Sequence, residues 1–289
     1  MEVLLPSTLD EALEVAAANP DVVPIAGGTD VMVELNMDLD RPETLMDVSR
    51  LDELRECRRE DGHVFLGAGV SYTRIIDELA GFTPLVQASR SVGSPQIRNR
   101  GTVGGNLGTA SPAGDALPVL AAYDAEVVLV RSGGGTRTVA WNDFLTGVKQ
   151  TSREPGELIL GARWAPPRGP GSFSKIGTRN AMVIAVASLC LQLDQDGRSV
   201  RVALGSVAPT VVRATEAESF AAAALDEAAA WDDPTASLGE AEVERFGQLV
   251  AGSGSPIDDV RGTGAYRRHA CAVLARRALA WALEDRRAA

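Results

Sequence analysis

The residues best able to act as a group in this chain are glycines and short hydroxyl side chains rather than acids, bases or nucleophiles. Between Arg98 and Tyr123 the chain reads RNRGTVGGNLGTASPAGDALPVLAAY, in which Gly101, Gly104, Gly105, Gly108 and Gly114 alternate with Thr102, Asn106, Thr109 and Ser111. Glycine tolerates positive φ and lacks a Cβ, so such a backbone can come close to a ligand and turn freed N–H groups toward it. The chemistry implied is an anion cradle, most simply for a pyrophosphate. A lone GG is more often a turn, but a second stretch of the same kind lies upstream. In PIAGGTDVMVEL, Pro24 to Leu35, a short apolar strand (Val22, Val23, Ile25) runs into Ala26, Gly27, Gly28 and Thr29 and then into a helical pattern. That order exposes N–H groups at the positive end of a helix dipole. Neither stretch fits GxGxxG or GxxxxGK[ST], which disfavours a Rossmann or P-loop nucleotide site. The two glycine loops are therefore expected to share one extended, phosphate-bearing ligand.

Other chemistries are poorly served. Cys57, Cys190 and Cys271 are odd in number, far apart and free of CxxC spacing, so neither a disulfide framework nor a zinc or iron–sulfur site follows from them. His63 and His269 are the two histidines. His63 adjoins the turn Asp61-Gly62, which makes it a surface residue, and a His-rich metal site is excluded. A net charge of −11 argues against a nucleic-acid partner, which would need clustered Lys and Arg. The longest uncharged, strongly apolar run, Ala181 to Leu193, falls short of the ~20 residues that span a bilayer. The acidic start MEVLLPSTLDEALEV does not read as a signal peptide, and a cytoplasmic protein is expected.

The elements that must position the two stretches follow from periodicity and turn residues. Thr8 to Asn19 reads as an amphipathic helix opened by a capping box, Thr8 and Glu11. Thr29 or Asp30 can cap a second helix toward Leu35, and Thr44 to Val48 reads as a strand. A hairpin turning at Asp61-Gly62 leads into the strand His63 to Leu66, and Ser71 caps a helix through Leu79. Phe82 to Ser91 is helical and is broken by a turn at Gly93-Ser94-Pro95. After the central loop come a helix, Asp115 to Tyr123, and a strand, Ala125 to Val130, apolar enough to be buried on both faces. Gly133-Gly134-Gly135 is a hairpin into Thr136 to Val139, and Leu158 to Trp164 is a further strand. APPRGPG, residues 165 to 171, is the clearest linker and marks a domain boundary. Beyond it, Ser172 to Gly177, Met182 to Leu193 and Ser199 to Val207 are strands, the last two a hairpin turning at Asp196-Gly197. Helices are expected over Arg213 to Leu225, Glu240 to Val250 and Gly264 to Glu284, the last with Arg267, Arg268, Arg276 and Arg277 on a solvated side.

AGGTD, followed downstream by RNRGTVGGN and SPAGD, resembles the FAD-binding medium subunit of the molybdenum hydroxylases, the group of xanthine dehydrogenase and aerobic carbon monoxide dehydrogenase. LMDVSRLDEL, FLGAGVSYTRI, PGELIL, FSKIGTR, LGSVAPT and RGTGAYRRHA occur in the order such subunits show, so the resemblance covers nearly the whole chain. It implies an α+β protein with an FAD-binding fold of the vanillyl-alcohol oxidase/PCMH type over residues 1–165, in subdomains of about 1–53 and 54–165. A smaller α+β C-terminal domain with an antiparallel sheet and helices would cover 172–289.

The resemblance also implies noncovalent FAD, held by Pro24, Ile25, Ala26, Gly27, Gly28, Thr29, Asp30 and Val31 on one side of the pyrophosphate and by Thr102, Val103, Gly104, Gly105 and Asn106 on the other. Ser111 and Asp115 match the family's serine and aspartate beside the cofactor, and Val92 a position that packs the adenine. Ile159 aligns with an apolar residue near the isoalloxazine, and Lys175 with a lysine near the flavin whose charge would favour a negative reduced ring. Where several relatives carry acidic or aromatic residues near the flavin, this chain has Asn180, Ala181 and Met182. The implied function is an oxidoreductase subunit that takes electrons from an iron–sulfur small subunit and passes them to NAD or another acceptor. Molybdenum cofactor and 2Fe-2S clusters would sit on partner subunits, the molybdenum cofactor on a large one. The alternatives are a stand-alone FAD-dependent oxidoreductase acting directly on a small molecule, and a noncatalytic nucleotide-binding or scaffold protein on the same fold.

Overall fold

A computed structural model describes residues 1–288. In chain order its elements are β1 (Glu2–Leu4), α1 (Leu9–Ala18), β2 (Val23–Ile25), α2 (Val31–Asn36), β3 (Thr44–Asp47), β4 (Cys57–Glu60), β5 (His63–Gly67), α3 (Tyr72–Glu78), α4 (Thr83–Ser91), α5 (Pro95–Arg100), α6 (Val103–Thr109), α7 (Ala116–Ala122), β6 (Glu126–Val130) and β7 (Thr136–Ala140). Next come α8 (Trp141–Phe144), β8 (Leu145–Gly147), β9 (Gln150–Thr151), β10 (Leu158–Trp164), β11 (Gly171–Ile176), β12 (Ala187–Asp194), β13 (Ser199–Gly205), β14 (Val212–Arg213), α9 (Thr215–Glu227), α10 (Glu240–Gly252) and α11 (Gly264–Ala288). They form two compact units. The first comprises Met1–Glu78, Ser94–Ser111 and Asp124–Ala165, and the second Leu79–Gly93, Pro112–Tyr123 and Pro166–Ala289.

In the first unit, β1, β3 and β2 make a parallel sheet in that order, and β4, β5, β10, β6 and β7 an antiparallel one. Parallel neighbours need crossovers, and α1 and α2 supply them. Ala12, Leu13 and Ala16, on one face of α1, join Met46, Val48, Leu51 and Leu54 in a core that also takes Val130 and Leu158. Thr8 caps α1 by accepting from Glu11 N–H (3.2 Å), but the Glu11 carboxylate bonds Ser7 N–H and Oγ (2.7 and 2.8 Å), one residue earlier than a capping box requires. Asp61 and Gly62 both take positive φ (49° and 76°), the turn a two-residue hairpin demands.

The second unit is built on the antiparallel sheet β11-β12-β13-β14. Strand period two divides its faces. Leu189, Leu191, Val202 and Leu204 pack into one core with Ala217, Ala221 and Leu225 of α9, Phe246 and Val250 of α10, and Leu274, Ala278 and Leu279 of α11. Phe173, Cys190 and Ala203 stand opposite one another on the other face, as do Lys175, Ser188 and Gly205, with α4 and α7 packed against the sheet.

Some expectations shift. The strand expected from Met182 starts at Ala187, and Arg213 belongs to β14 rather than to the following helix. Ser94-Pro95 starts a helix, α5, rather than a turn, because Ser94 Oγ accepts from Ile97 N–H and Pro occupies the first helical position. Of the four arginines assigned to a solvated side, Arg268 and Arg277 are exposed and Arg276 pairs with Glu244 of α10. Arg267 is buried, because three acceptors around it, two carbonyls and the Asp259 carboxylate, lie within reach of its guanidinium. Among the described residues no helix is long and apolar enough to cross a membrane.

Candidate functional site

β2 ends at Ile25 and the chain turns through Ala26 to Asp30 before α2 begins. Gly28 has φ +74°, which any other residue would adopt at a cost. A Cβ on Gly27 would stand 1.9 Å from the Arg100 carbonyl oxygen, so this glycine lets the first stretch lie directly on the end of α5. The first helical bond runs from Met32 N–H to Gly28 O (3.0 Å). Among the described residues, the N–H groups of Gly27, Gly28, Thr29 and Asp30 meet no acceptor. Neither Thr29 nor Asp30 caps α2 with its side chain. The Asp30 carboxylate instead accepts from Thr109 Oγ1 (3.0 Å), tying the first glycine stretch to α6 in the second.

The second stretch is helical where an open loop was expected. Thr102, with φ −126° and ψ 159°, caps α6 by accepting from Gly105 N–H (2.9 Å), and Val103 and Leu107 are buried one turn apart. Gly104 N–H donates to Ala68 O (2.9 Å), Val103 N–H to Val70 O (3.4 Å) and Asn106 N–H to Thr102 O (3.0 Å). The N–H groups expected to face a ligand here are thus engaged in holding α6 in place. The two adjacent glycines differ. A Cβ at Gly104 would fall 2.4 Å from the Ala68 Cβ, whereas one at Gly105 would meet only Thr102 Oγ1, at 3.2 Å. Asn106 Oδ1 is buried and finds no donor among the described residues.

Sheet geometry fixes this helix. A bulge in β10 between Ile159 and Gly161 turns the Leu160 carbonyl to Ala68 N–H (2.9 Å), and Ala68 in turn accepts from Gly104. Ile159 is half-buried and packs on the core around α1; its Cδ1 lies 3.6 Å from where a Gly108 Cβ would be. Arg137 holds Glu157, just before β10, through both carboxylate oxygens (2.6 and 2.8 Å). Sequence reasoning missed Ala68, which carries no residue signal beyond its place in GAG, and counted Thr109 among the hydroxyls beside freed N–H groups, whereas it bonds the Asp30 carboxylate.

In the second unit, Val92 is the residue after α4, half-buried, while Asp115 precedes α7 and Lys175 lies on β11. Lys175 could have been a surface strand lysine; it is buried against Asp115, with side chains 8% and 6% exposed. Burial pushes the Asp115 carboxyl above its ordinary value, against the opposing effect of Lys175 and Ser91. Ser91 was not singled out from the sequence and touches both partners. The expected site residues therefore fall in two groups: Pro24 to Val31, Thr102 to Asn106, Ser111 and Ile159 in the first unit, and Val92, Asp115 and Lys175 in the second. Cys190 and Cys271 are core residues, the Cys271 thiol pushed up to about 12 by burial.

A family model described as the FAD binding domain in molybdopterin dehydrogenase matches residues 1–163, and one described as the CO dehydrogenase flavoprotein C-terminal domain matches residues 172–282. The FAD subunit of nicotinate dehydrogenase from Eubacterium barkeri is 34% identical over 208 residues, 68% of this chain and 70% of that protein. The carbon monoxide dehydrogenase medium chain of Hydrogenophaga pseudoflava is 28% identical over 292 residues, 96% of each chain. A solved carbon monoxide dehydrogenase from that organism superposes with a TM-score of 0.86 at 26% identity, covering 99% of this chain and 98% of the other.

Proposed function

The chain belongs to the FAD-binding medium subunits of the molybdenum hydroxylase family, and from that premise we propose that it holds FAD noncovalently, receives electrons from an iron–sulfur subunit and passes them to NAD or another acceptor. Bound flavin would supply the redox chemistry. The observation that carries the reading is, among the described residues, the run of N–H groups from Gly27 to Asp30 with no acceptor, together with a buried Asn106 Oδ1 with no donor. The N–H run suits the acceptor oxygens of a pyrophosphate, and Asn106 suits a hydroxyl of the same molecule.

In this reading Pro24 to Val31 bind the phosphates through backbone. Thr102 to Gly105 shape and fix α6, and Asn106 contributes its side chain. Ser111, Ile159, Val92, Asp115 and Lys175 are proposed cofactor residues on the family pattern. The domain division proposed is 1–165 and 172–289. The match to a carbon monoxide dehydrogenase medium chain over 96% of both supports the reading in which the molybdenum cofactor and 2Fe-2S clusters belong to a large and a small partner subunit.

Purified chain is expected to be yellow, and heat or acid to release FAD, since neither glycine stretch has a Cys or His for covalent attachment. Released FMN, or colour that stays on the denatured protein, would overturn this. Co-expression with neighbouring reading frames is expected to give a complex containing molybdenum and iron, and the chain alone no oxidation of a purine, aldehyde or carbon monoxide. A monomer that turns over a small molecule without either metal would establish the stand-alone oxidoreductase instead.

A further inference from the structure

In the first unit, the outward side of α2 is apolar, the reverse of what a surface helix ordinarily shows. Met32, Val33, Asn36 and the capping residue Met37 are exposed, and their spacing puts them on one face, while Val31, Glu34 and Leu35 on the other are half-buried. No residue of α2 is fully buried, so apolar packing does not account for its place in the fold. Polar ties hold it instead. Glu34 pairs with Lys149, in the turn between β8 and β9, and Asp30 accepts from Thr109. The end of the helix is equally fixed: Leu39 N–H donates to Glu34 O (2.9 Å) and Asp38 N–H to Leu35 O (3.2 Å), with Asp38 at φ +55°. That is a Schellman ending, in which the apolar residue after the left-handed one usually covers the last turn. Here the residue it would cover is Glu34, and Leu39 is 69% exposed. Val148, which adjoins Lys149 and so lies beside α2, is exposed as well.

We propose that Met32, Val33, Met37, Leu39 and Val148 form a docking surface for the protein partner that gives electrons to the cofactor, and that this partner meets it with an apolar centre ringed by Lys and Arg. The inference rests on the FAD-subunit reading above and adds to it the face of this chain that the partner covers. Methionine suits such a surface, because its flexible, polarisable side chain adapts to what it meets. Two observations select the occupant. Met32 belongs both to this face and to the first glycine stretch: its N–H bonds the Gly28 carbonyl, and its Cγ lies 3.3 Å from where a Gly28 Cβ would be. A protein seated on α2 is therefore beside the turn proposed to hold the phosphates, where an electron donor has to come. The rim of the face is acidic. Arg41 is compensated by Asp38 and Lys149 by Glu34, whereas Asp40 and Glu43 are exposed and meet no cation among the described residues. A second copy would bring the same carboxylates together across a two-fold axis, and an anionic membrane would be repelled; a protein with a basic rim is attracted.

The test uses the full chain, co-expressed with the neighbouring reading frames and then titrated with the iron-containing subunit recovered from the complex. Flavin content and melting temperature are measured alongside. The double variant Met37→Lys with Leu39→Lys is expected to keep its FAD and its melting temperature, since both side chains already face solvent. It is expected to weaken the complex at least about a hundredfold, because two cations replace apolar contacts and confront a basic rim. The double variant Asp40→Lys with Glu43→Lys is expected to associate about tenfold more slowly at low salt and to lose most of the salt dependence of that rate. Unchanged affinity in the first variant overturns the proposal, and so does loss of FAD or a lowered melting temperature, which would make the face structural. A wild-type chain that dimerises by itself and becomes monomeric in the first variant overturns it in favour of a second copy. Association of the second variant as fast and as salt-sensitive as the wild type overturns the basic rim and with it the choice of partner. A wild-type chain that forms no iron-containing complex removes the functional reading and this inference together. A wild-type complex that the first variant forms equally well removes the inference alone.

Discussion

Gly104→Ala is expected to lower the stability of the ligand-free chain by about 2–3 kcal/mol and to abolish FAD loading, whereas Gly105→Ala is expected to spare stability and weaken only FAD. Both residues lie in the first turn of α6, where replacing glycine with alanine gains up to about 1 kcal/mol of helix propensity. At Gly104 that gain is overwhelmed. The new Cβ would sit 2.4 Å from the Ala68 Cβ and 2.6 Å from the Ala68 oxygen, the same oxygen that accepts from Gly104 N–H. Helix α6 would have to leave the sheet that positions it. At Gly105 the nearest neighbour is Thr102 Oγ1 at 3.2 Å, a hydroxyl able to yield a few tenths of an ångström. Open space above this residue is where the proposed cofactor would approach. Urea midpoints of the apoproteins and FAD titrations separate the outcomes; equal behaviour of the two variants would sink the distinction between a packing glycine and a ligand-facing one. Gly28→Val is expected to resemble Gly104→Ala in losing FAD, but through a φ of +74° that a β-branched residue resists.

Arg267→Met is the second large effect, a loss of about 3 kcal/mol from the second unit, since the two carbonyls left without a donor each carry a penalty of roughly 1–3 kcal/mol. The side chain is 3% exposed. It donates to Val186 O (2.7 Å), immediately before β12, to Ser206 O (2.8 Å), immediately after β13, and to Asp259 Oδ1 (2.6 Å). One guanidinium thus fixes both chain ends of the β12–β13 hairpin to the start of α11. Methionine has similar bulk and no donor, so the carbonyls lose their partner without a large cavity opening. The Asp259 carboxyl is held below its ordinary value, first by the Arg261 N–H and then also by Arg267. A depressed carboxylate contributes stability above its unfolded value and loses it as pH falls through the folded value. The variant should therefore lose stability less steeply in acid than the wild type does. Tryptophan fluorescence in urea at neutral and acidic pH reads both effects, and a neutral-pH loss below about 1 kcal/mol would show that the carbonyls find other donors.

What the sequence determined by itself was the set of elements whose cause is local. The α1 cap at Thr8, the Asp61-Gly62 hairpin, the apolar β6 and the β12–β13 pairing follow from neighbouring residues, where propensity, period and turn chemistry agree. The in-order motifs from AGGTD to RGTGAYRRHA likewise identified the family, since that signal lies in residue identity and order. Tertiary structure decided what each glycine and each charge is for. VGGNLGT reads as a loop because two glycines disfavour helix, yet it is helical because Thr102 caps it and Ala68, some thirty-five residues away in sequence, accepts its N–H. Gly27 and Gly104 are required by the backbone and side-chain atoms of Arg100 and Ala68, and Gly28 by its own dihedral angle. In sequence Arg267 reads as a solvated charge and Lys175 as a cation near the cofactor. They are buried because carbonyls at the ends of distant elements, together with Asp259 and Asp115, surround them, and desolvation makes burial of a charge tolerable only where such partners converge.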